Sequence, residues 1–291
     1  MCQIHNDIFR LSVSTTGAEL DELCIHDINI LWKKNKIWNA QSPLLFPIVG
    51  CLKDNYYIYK DNRYSLPCHG FLKNQPFQIV NKTDSMVELI TYSTEETLKN
   101  YPFPYALKVT YELLDYHIHI SFELTNLGIE DMRFGFGFHP GFAYDGLEKV
   151  LGKDIKVLFQ DEEAISVEFN PSFVTEMRRD NLEEIRNLKD ISKKLMDKRT
   201  LCYQDINDVE LYSSLGVLQI KQDMKYMAFW QSEPENPKFL CIEAWDGLPD
   251  EEHTNHQWSD KWYMQTLKSK ECYKKNIVIS FIDKGAQNEN N

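Results

Sequence analysis

The 291-residue chain has no block of basic charge: 32 Lys and Arg stand against 44 Asp and Glu, giving a formal net charge of −12 with both signs mixed along the chain. Nucleic-acid grooves and anionic membrane surfaces need clustered Lys and Arg, so both partner classes are disfavoured. No apolar run is long enough to span a bilayer, and Met1-Cys2-Gln3-Ile4-His5-Asn6-Asp7 has no apolar run behind a basic start. Among the seven cysteines, at 2, 24, 51, 68, 202, 241 and 272, no CxxC spacing occurs. An odd count without that spacing fits reduced thiols in a cytosolic protein. Internal repeats and low-complexity linkers are missing too. These absences lead us to expect a soluble cytoplasmic protein of one or two domains, with a large all-β sandwich or barrel as a one-domain solution at this length.

What is present is short alternating runs separated by turn signals. Residues 8–25 and the following Asp27 to Trp32 predict a first hairpin. Pro43-Leu44-Leu45-Phe46-Pro47-Ile48-Val49-Gly50 is apolar and bracketed by prolines, which suits a buried loop or sheet edge. Strands are expected at 77–81 and 86–92, then a helical turn or two over 94–100 capped by Ser93 or Thr94. Residues 105–125 alternate cleanly about a turn at 114–117. Strand character returns over 149–169, at 209–212, 216–220 and 226–230, and in Ile277 to Phe281, the closing strand. Only 181–196 has helical spacing, expected as one surface helix or two short ones on a sheet edge. Many short strands and little helix predict a large antiparallel β-sandwich.

Three stretches carry chemistry. In Phe134-Gly135-Phe136-Gly137-Phe138-His139-Pro140-Gly141-Phe142 the aromatics fall on one face of an extended chain and His139 on the glycine side, expected to border open space. In Pro67-Cys68-His69-Gly70-Phe71 a second histidine sits in rigid irregular backbone, where binding groups collect. In Phe239 to Gly247, Glu243 lies in an apolar strand, and alternation places Cys241, Glu243 and Trp245 on one face. A carboxylate beside an indole suits a pyranose, whose apolar face stacks on the ring while its hydroxyls meet polar groups. Each residue also has a plainer reading, an imidazole or carboxylate satisfied by a neighbour.

In this order, Cys68-His69-Gly70-Phe71, Gly137-Phe138-His139-Pro140-Gly141-Phe142 and Leu240-Cys241-Ile242-Glu243-Ala244-Trp245-Asp246-Gly247 resemble the aldose 1-epimerase (galactose mutarotase-like) family, most of all its LacX-like branch. Gly17-Ala18-Glu19-Leu20, the Pro43 to Gly50 segment and Thr97 to Phe103 support the likeness, which covers roughly residues 15 to 280. The resemblance implies a single β-supersandwich domain over 1–283, followed by a disordered tail from 284. It implies a groove that binds a free aldose and interconverts its α and β anomers, with no metal and no organic cofactor. Glu243 matches the general base, His139 the general acid, and His69 the histidine that hydrogen-bonds near the ring oxygen. An ionised Glu243 is expected to raise the proton affinity of a nearby His139. Lys53 and Lys73 are expected as ligand contacts, and Asp208 and Trp230 match a sugar-binding aspartate and a strand tryptophan.

The chain departs from the family pattern in three places. Cys51 and Lys73 stand where arginines are usual, and Ala244 replaces a proline. A lysine lacks the planar fork of arginine, so a bidentate contact to sugar hydroxyls or to a phosphate is lost. The partner is a small sugar, an aldohexose or a sugar phosphate, bound by a monomer or homodimer. A metal site from His117 and His119 or from His253 and His256 lacks a third ligand. A glycosidase would need a second carboxylate near Glu243, for which Asp246 and Asp250 are the candidates close in sequence. The chief alternative is a noncatalytic carbohydrate-binding or regulatory protein on the same fold.

Overall fold

The computed structural model describes residues 1–170, 172–261 and 263–284. Its frame is two large antiparallel sheets. One runs in the order Lys156–Phe159, Asp208–Tyr212, Gly216–Gln222, Cys272–Asp283, His117–Asn126, Tyr105–Leu114, Met86–Tyr92 and Gln78–Lys82. The other runs Val174–Asn181, Glu163–Phe169, Thr200–Gln204, Tyr226–Trp230, Phe239–Asp246, Phe136–Phe138 and Leu44–Leu45, with Gly141–Ala143 also pairing with Phe239–Asp246. A four-stranded sheet gathers Cys2–His5, Phe9–Val13, Leu20–Ile25 and Ile28–Asn29.

Alternation explains how the sheets pack. In Tyr105–Leu114, Tyr105, Leu107, Val109, Tyr111 and Leu113 are buried while their neighbours face outward, as a half-buried antiparallel strand requires. The strand pairs with His117–Asn126 across a turn at Asp115 and Tyr116. Phe122 of that strand meets Phe136 and Phe138 of the opposite sheet, ring centroids 5.0 and 6.1 Å apart. The three alternating phenylalanines thus point into the space between sheets. One hydrophobic cluster reaches from Cys2 to Phe281.

Several expectations hold in detail. Thr94 caps the Glu95–Asn100 helix in a reciprocal box with Thr97. Leu44–Leu45, between its two prolines, is a wholly buried strand at the sheet margin.

Others are corrected. Residues 144–151, the last three of them expected to lean toward strand, form the Tyr144–Leu151 helix, which buries Gly146, Leu147 and Leu151 on one side. A Cβ on Gly146 would lie 2.4 Å from the Asn29 carbonyl oxygen, so a close approach of this helix to the Ile28–Asn29 strand outweighs strand propensity. The helix expected over 181–196 is confined to Leu188–Asp197, opened by Asn187, whose side chain accepts from the N–H groups of Lys189 and Asp190. Of the residues before it, Asn181 ends the Val174–Asn181 strand and 182–187 are turn and irregular backbone, with Asn187 bridging to Lys156. Cys2–His5 and Thr200–Gln204 are strands the sequence did not single out. The polar tail expected from 284 lies, from 285 on, outside the described residues.

The glycine face is not open either. A Cβ on Gly137 would come within 3.0 Å of the Trp245 ring and 3.1 Å of Leu45. The glycines admit protein side chains, and the free space lies past the strand end, at His139.

Candidate active site

A cavity of about 830 Å³ opens beside the second sheet. Its walls bring together five of the residues singled out in the sequence, His69, Lys73, His139, Trp230 and Glu243. Trp245 joins them, since Glu243 and Trp245 project from the same face of Phe239–Asp246. Two others are elsewhere. Lys53 donates through its ammonium to the Glu252 carbonyl oxygen, and its backbone N–H donates to Asp250 at 2.9 Å. Asp208 belongs to the opposite sheet, where it accepts from Gln219 at 2.9 Å and pairs with Lys221 at 3.4 Å. Both side chains are engaged outside the lining of the cavity, Asp208 through Oδ2 while its buried Oδ1 has no partner among the described residues.

Glu243 and His139 meet directly, with Glu243 Oε2 3.2 Å from His139 Nε2. Register explains the encounter: Phe138 pairs with Ala244, and Pro140 then turns the chain so that Gly141 pairs with Cys241. His139 therefore stands in the gap between two short strands, level with Glu243. The Trp245 indole N–H donates to the same Oε2 at 2.9 Å. Both groups are buried, and Glu243 Oε1 and His139 Nδ1 have no partner among the described residues.

Burial pushes the Glu243 carboxyl well above the usual carboxylate range, the Trp245 N–H opposing it in part. Burial, with the nearby His69, pushes the His139 imidazole well below its ordinary value. The expected rise in His139 proton affinity is thus overturned, because desolvation of a ring this enclosed outweighs attraction to its neighbour. A protonated carboxyl facing a neutral imidazole, and a carboxylate facing an imidazolium, contain the same number of protons. With one proton the pair is net neutral wherever that proton sits, and the two opposite directions favour the carboxyl as its holder. When that proton moves to the ring, the pair presents a carboxylate that can accept a proton and an imidazolium that can release one.

His69 approaches His139 edge-on, with centroids 5.6 Å apart. Burial and Lys73 push its imidazole down to about 4, so the ring is neutral near pH 7. The Gly50 N–H donates to its Nδ1 at 3.2 Å. That contact assigns the remaining ring proton to Nε2, which makes His69 a hydrogen-bond donor on the cavity side of the ring.

Two features escaped the sequence reading. Trp38 stacks on the His139 ring at 5.2 Å and on Phe239 at 5.2 Å, and lines the cavity with Trp230. Nothing in the polar run Lys33 to Asn39 marks it as a site residue. Second, Cys51 and Cys68 form a disulfide, correcting the expectation of seven reduced thiols; the other five cysteines are free. Seventeen residues apart in sequence, the two are brought together where the residues beside them, Gly50 and His69, hydrogen-bond to each other.

For metals, one group among the described residues has suitable donors: nitrogen, sulfur and oxygen of His139, Cys241 and Glu243 lie within 4.8 Å of one another. His139 and Glu243 already bond each other there, and no step below depends on an ion. His117 bonds Ser280 at 2.8 Å and His256 stacks on Tyr56 at 4.2 Å, the plainer reading of both. Asp246 is held by Tyr273 at 2.6 Å and Asp250 by Lys261 and the Lys53 N–H, so neither pairs with Glu243 as a glycosidase would require.

Comparison with known proteins agrees with this geometry. The family model described as aldose 1-epimerase matches residues 1–280. The plasmid-borne protein LacX of Lactococcus lactis subsp. lactis is 25% identical, over 97% of this chain and 99% of its own. A galactose mutarotase related enzyme from Lactobacillus acidophilus superposes with a TM-score of 0.87 at 26% identity, covering 96% of each chain. A galactose mutarotase-like protein from Lactobacillus casei gives 0.81 at 25% identity, covering 97% of this chain and 99% of that one.

Proposed function

The chain belongs to the aldose 1-epimerase family, and on that premise we propose that it interconverts the α and β anomers of a free aldose in the cytoplasm. Glu243 takes the proton from the anomeric hydroxyl and His139 delivers one to the ring oxygen. The ring opens, the bond between C1 and C2 rotates, and the reverse transfers close it on the other face. His69 donates from Nε2 to an oxygen at the ring end of the sugar, while Trp38 and Trp230 offer faces for its apolar side.

The observation that carries this reading is the single contact between Glu243 Oε2 and His139 Nε2 at a cavity wall. A sugar entering between them finds a proton acceptor and a proton donor already coupled, and the net-neutral pair needs no proton from solvent. Each role is worth about 10²–10⁴-fold in general acid–base catalysis.

The test is equilibration of freshly dissolved α-anomers of a panel of aldoses and their 6-phosphates, followed by polarimetry. Acceleration of at least one sugar, lost in Glu243→Gln with an unchanged far-ultraviolet spectrum, is expected. If every sugar equilibrates as in buffer, the chain is a sugar binder without turnover.

A further inference from the structure

Cys51 and Cys68 lie next to a two-bond clip that sets the position of His69. Gly50 donates its N–H to His69 Nδ1 at 3.2 Å, and the His69 N–H donates back to the Gly50 carbonyl oxygen at 2.7 Å. Cys51 follows Gly50, Cys68 precedes His69, and the disulfide joins the two strands of the clip covalently. The clip works against a local preference, since His69 has φ of +64°, in the left-handed region where a residue with a side chain is uncommon. A segment in that conformation stays there only while its surroundings hold it.

The disulfide is also within reach of solvent. Cys51 lines the cavity, and both cysteines are half-exposed. Of the five free cysteines, Cys2, Cys24, Cys202 and Cys241 are buried and only Cys272 is exposed. Glu243 lies on the Phe239–Asp246 strand and His139 just past Phe136–Phe138, segments other than the two the disulfide joins. The disulfide therefore bears first on His69, and reaches the acid–base pair only through the edge-on contact of His69 with His139.

We propose that the Cys51–Cys68 disulfide is a positioning element for His69, so that turnover depends on its oxidation state. The proposal rests on the mutarotase reading for its effect on rate. A dithiol reduces the bond in two exchanges. A reagent thiolate attacks one protein sulfur and the S–S bond breaks, leaving a mixed disulfide. The reagent's second thiol then closes its own ring and expels the protein sulfur. The two electrons that reduce the protein S–S bond come from the reagent, which is oxidised to its cyclic disulfide, and its two thiol protons end on the two released protein sulfurs. Without the crosslink His69 leaves the left-handed conformation, Nδ1 loses the Gly50 donor, and Nε2–H is no longer aimed by the backbone.

The experiment uses the full oxidised chain, with dithiothreitol as reductant and its cyclic disulfide for recovery. Thiol titration of the native protein should find two more reactive groups after reduction. Polarimetry should then show kcat lower by about ten- to a hundredfold, the cost of a misplaced group near the reacting atoms, with KM changed less and activity restored on reoxidation. Cys51→Ser should be slow from the start and indifferent to the reagent. In His69→Ala, reduction should change nothing further. Histidine ¹⁵N spectra give a reading independent of rate: the His69 signature of an accepting Nδ1 should give way to mixed tautomers. Two thiols released with kcat and the His69 spectrum both unchanged would overturn the proposal. An oxidised protein inactive on every sugar refutes the mutarotase reading instead, and the spectrum alone then decides: a changed His69 signal upholds positioning, an unchanged one overturns it.

Discussion

The Trp38 indole lies over the His139 imidazole, with centroids 5.2 Å apart and planes inclined by 29°. Gly141 makes room for it, because a Cβ there would stand 2.7 Å from Trp38 Cζ3. The stack shields His139 from water, and that shielding is part of why its imidazole resists protonation. Trp38→Ala should therefore raise the His139 pKa toward its ordinary value and slow mutarotation about tenfold through looser placement of the acid. Gly141→Ala should displace the indole with the same effect on rate, and cost about 1–3 kcal/mol as an overpacked site. Polarimetry and histidine proton-resonance titration read the two effects; an unmoved His139 resonance in Trp38→Ala would refute the shielding role.

Stability should fall as pH drops from about 6.5 to 4, and His69 is the source within the site. Its folded value of about 4 lies below the ordinary 6.5, so in that window the unfolded chain binds the proton that the native ring refuses. The slope of unfolding free energy with pH is then positive, amounting to at most about 3 kcal/mol over the window. The Glu243–His139 unit adds no slope between their ordinary values of 4.5 and 6.5, because native and unfolded states each hold one proton there. Urea titrations at several pH values should show a flatter acid limb for His69→Gln than for wild type. Equal slopes would mean that His69 is not held neutral.

Lys261 and Asp250 form a buried pair, with side chains 7% and 5% exposed. Asp250 also accepts the Lys53 N–H at 2.9 Å, and its own N–H donates to the Cys51 carbonyl oxygen at 3.2 Å, so it steadies the segment beside the disulfide. Lys261→Met would leave an unpaired carboxylate in the interior. A loss of about 3–5 kcal/mol is expected, measured by thermal or urea unfolding. A loss under 1 kcal/mol would show that Asp250 is neutral or reached by water.

Lys53→Ala and Asp208→Ala separate cavity from surface. Neither side chain lines the cavity, so kcat/KM should stay within about twofold of wild type, a change smaller than 0.5 kcal/mol. Lys73→Ala, by contrast, removes a half-buried cation from the wall and should raise KM. Steady-state polarimetry on the preferred sugar compares the three, and a large defect in Asp208→Ala would place the sugar differently.

Much of the molecule could be read along the chain because its causes are local. Alternation along Tyr105–Leu114 says which residues face inward whatever lies opposite, and Thr94 caps a helix with residues three positions away. His69 and His139 are recognisable because each lies in a short run whose glycines and prolines constrain the backbone, and Glu243 because it is a carboxylate in an otherwise apolar strand. Where non-local contact decides, local signals failed. Tyr144–Leu151 is helical because it packs closely on Asn29, and Lys53 and Asp208 were judged without knowing which sheet or carbonyl would claim them.

By itself the sequence determined an antiparallel β architecture and the chemical kinds of the candidate site groups, two imidazoles and a carboxylate. Tertiary structure alone decided their state. It buried Glu243 against His139, laid Trp38 over the His139 ring, and joined Cys51 to Cys68 beside His69. The reason is physical: side-chain identity follows from covalent structure, whereas dielectric surroundings, proton position and crosslinking depend on which distant segments come within a few ångströms.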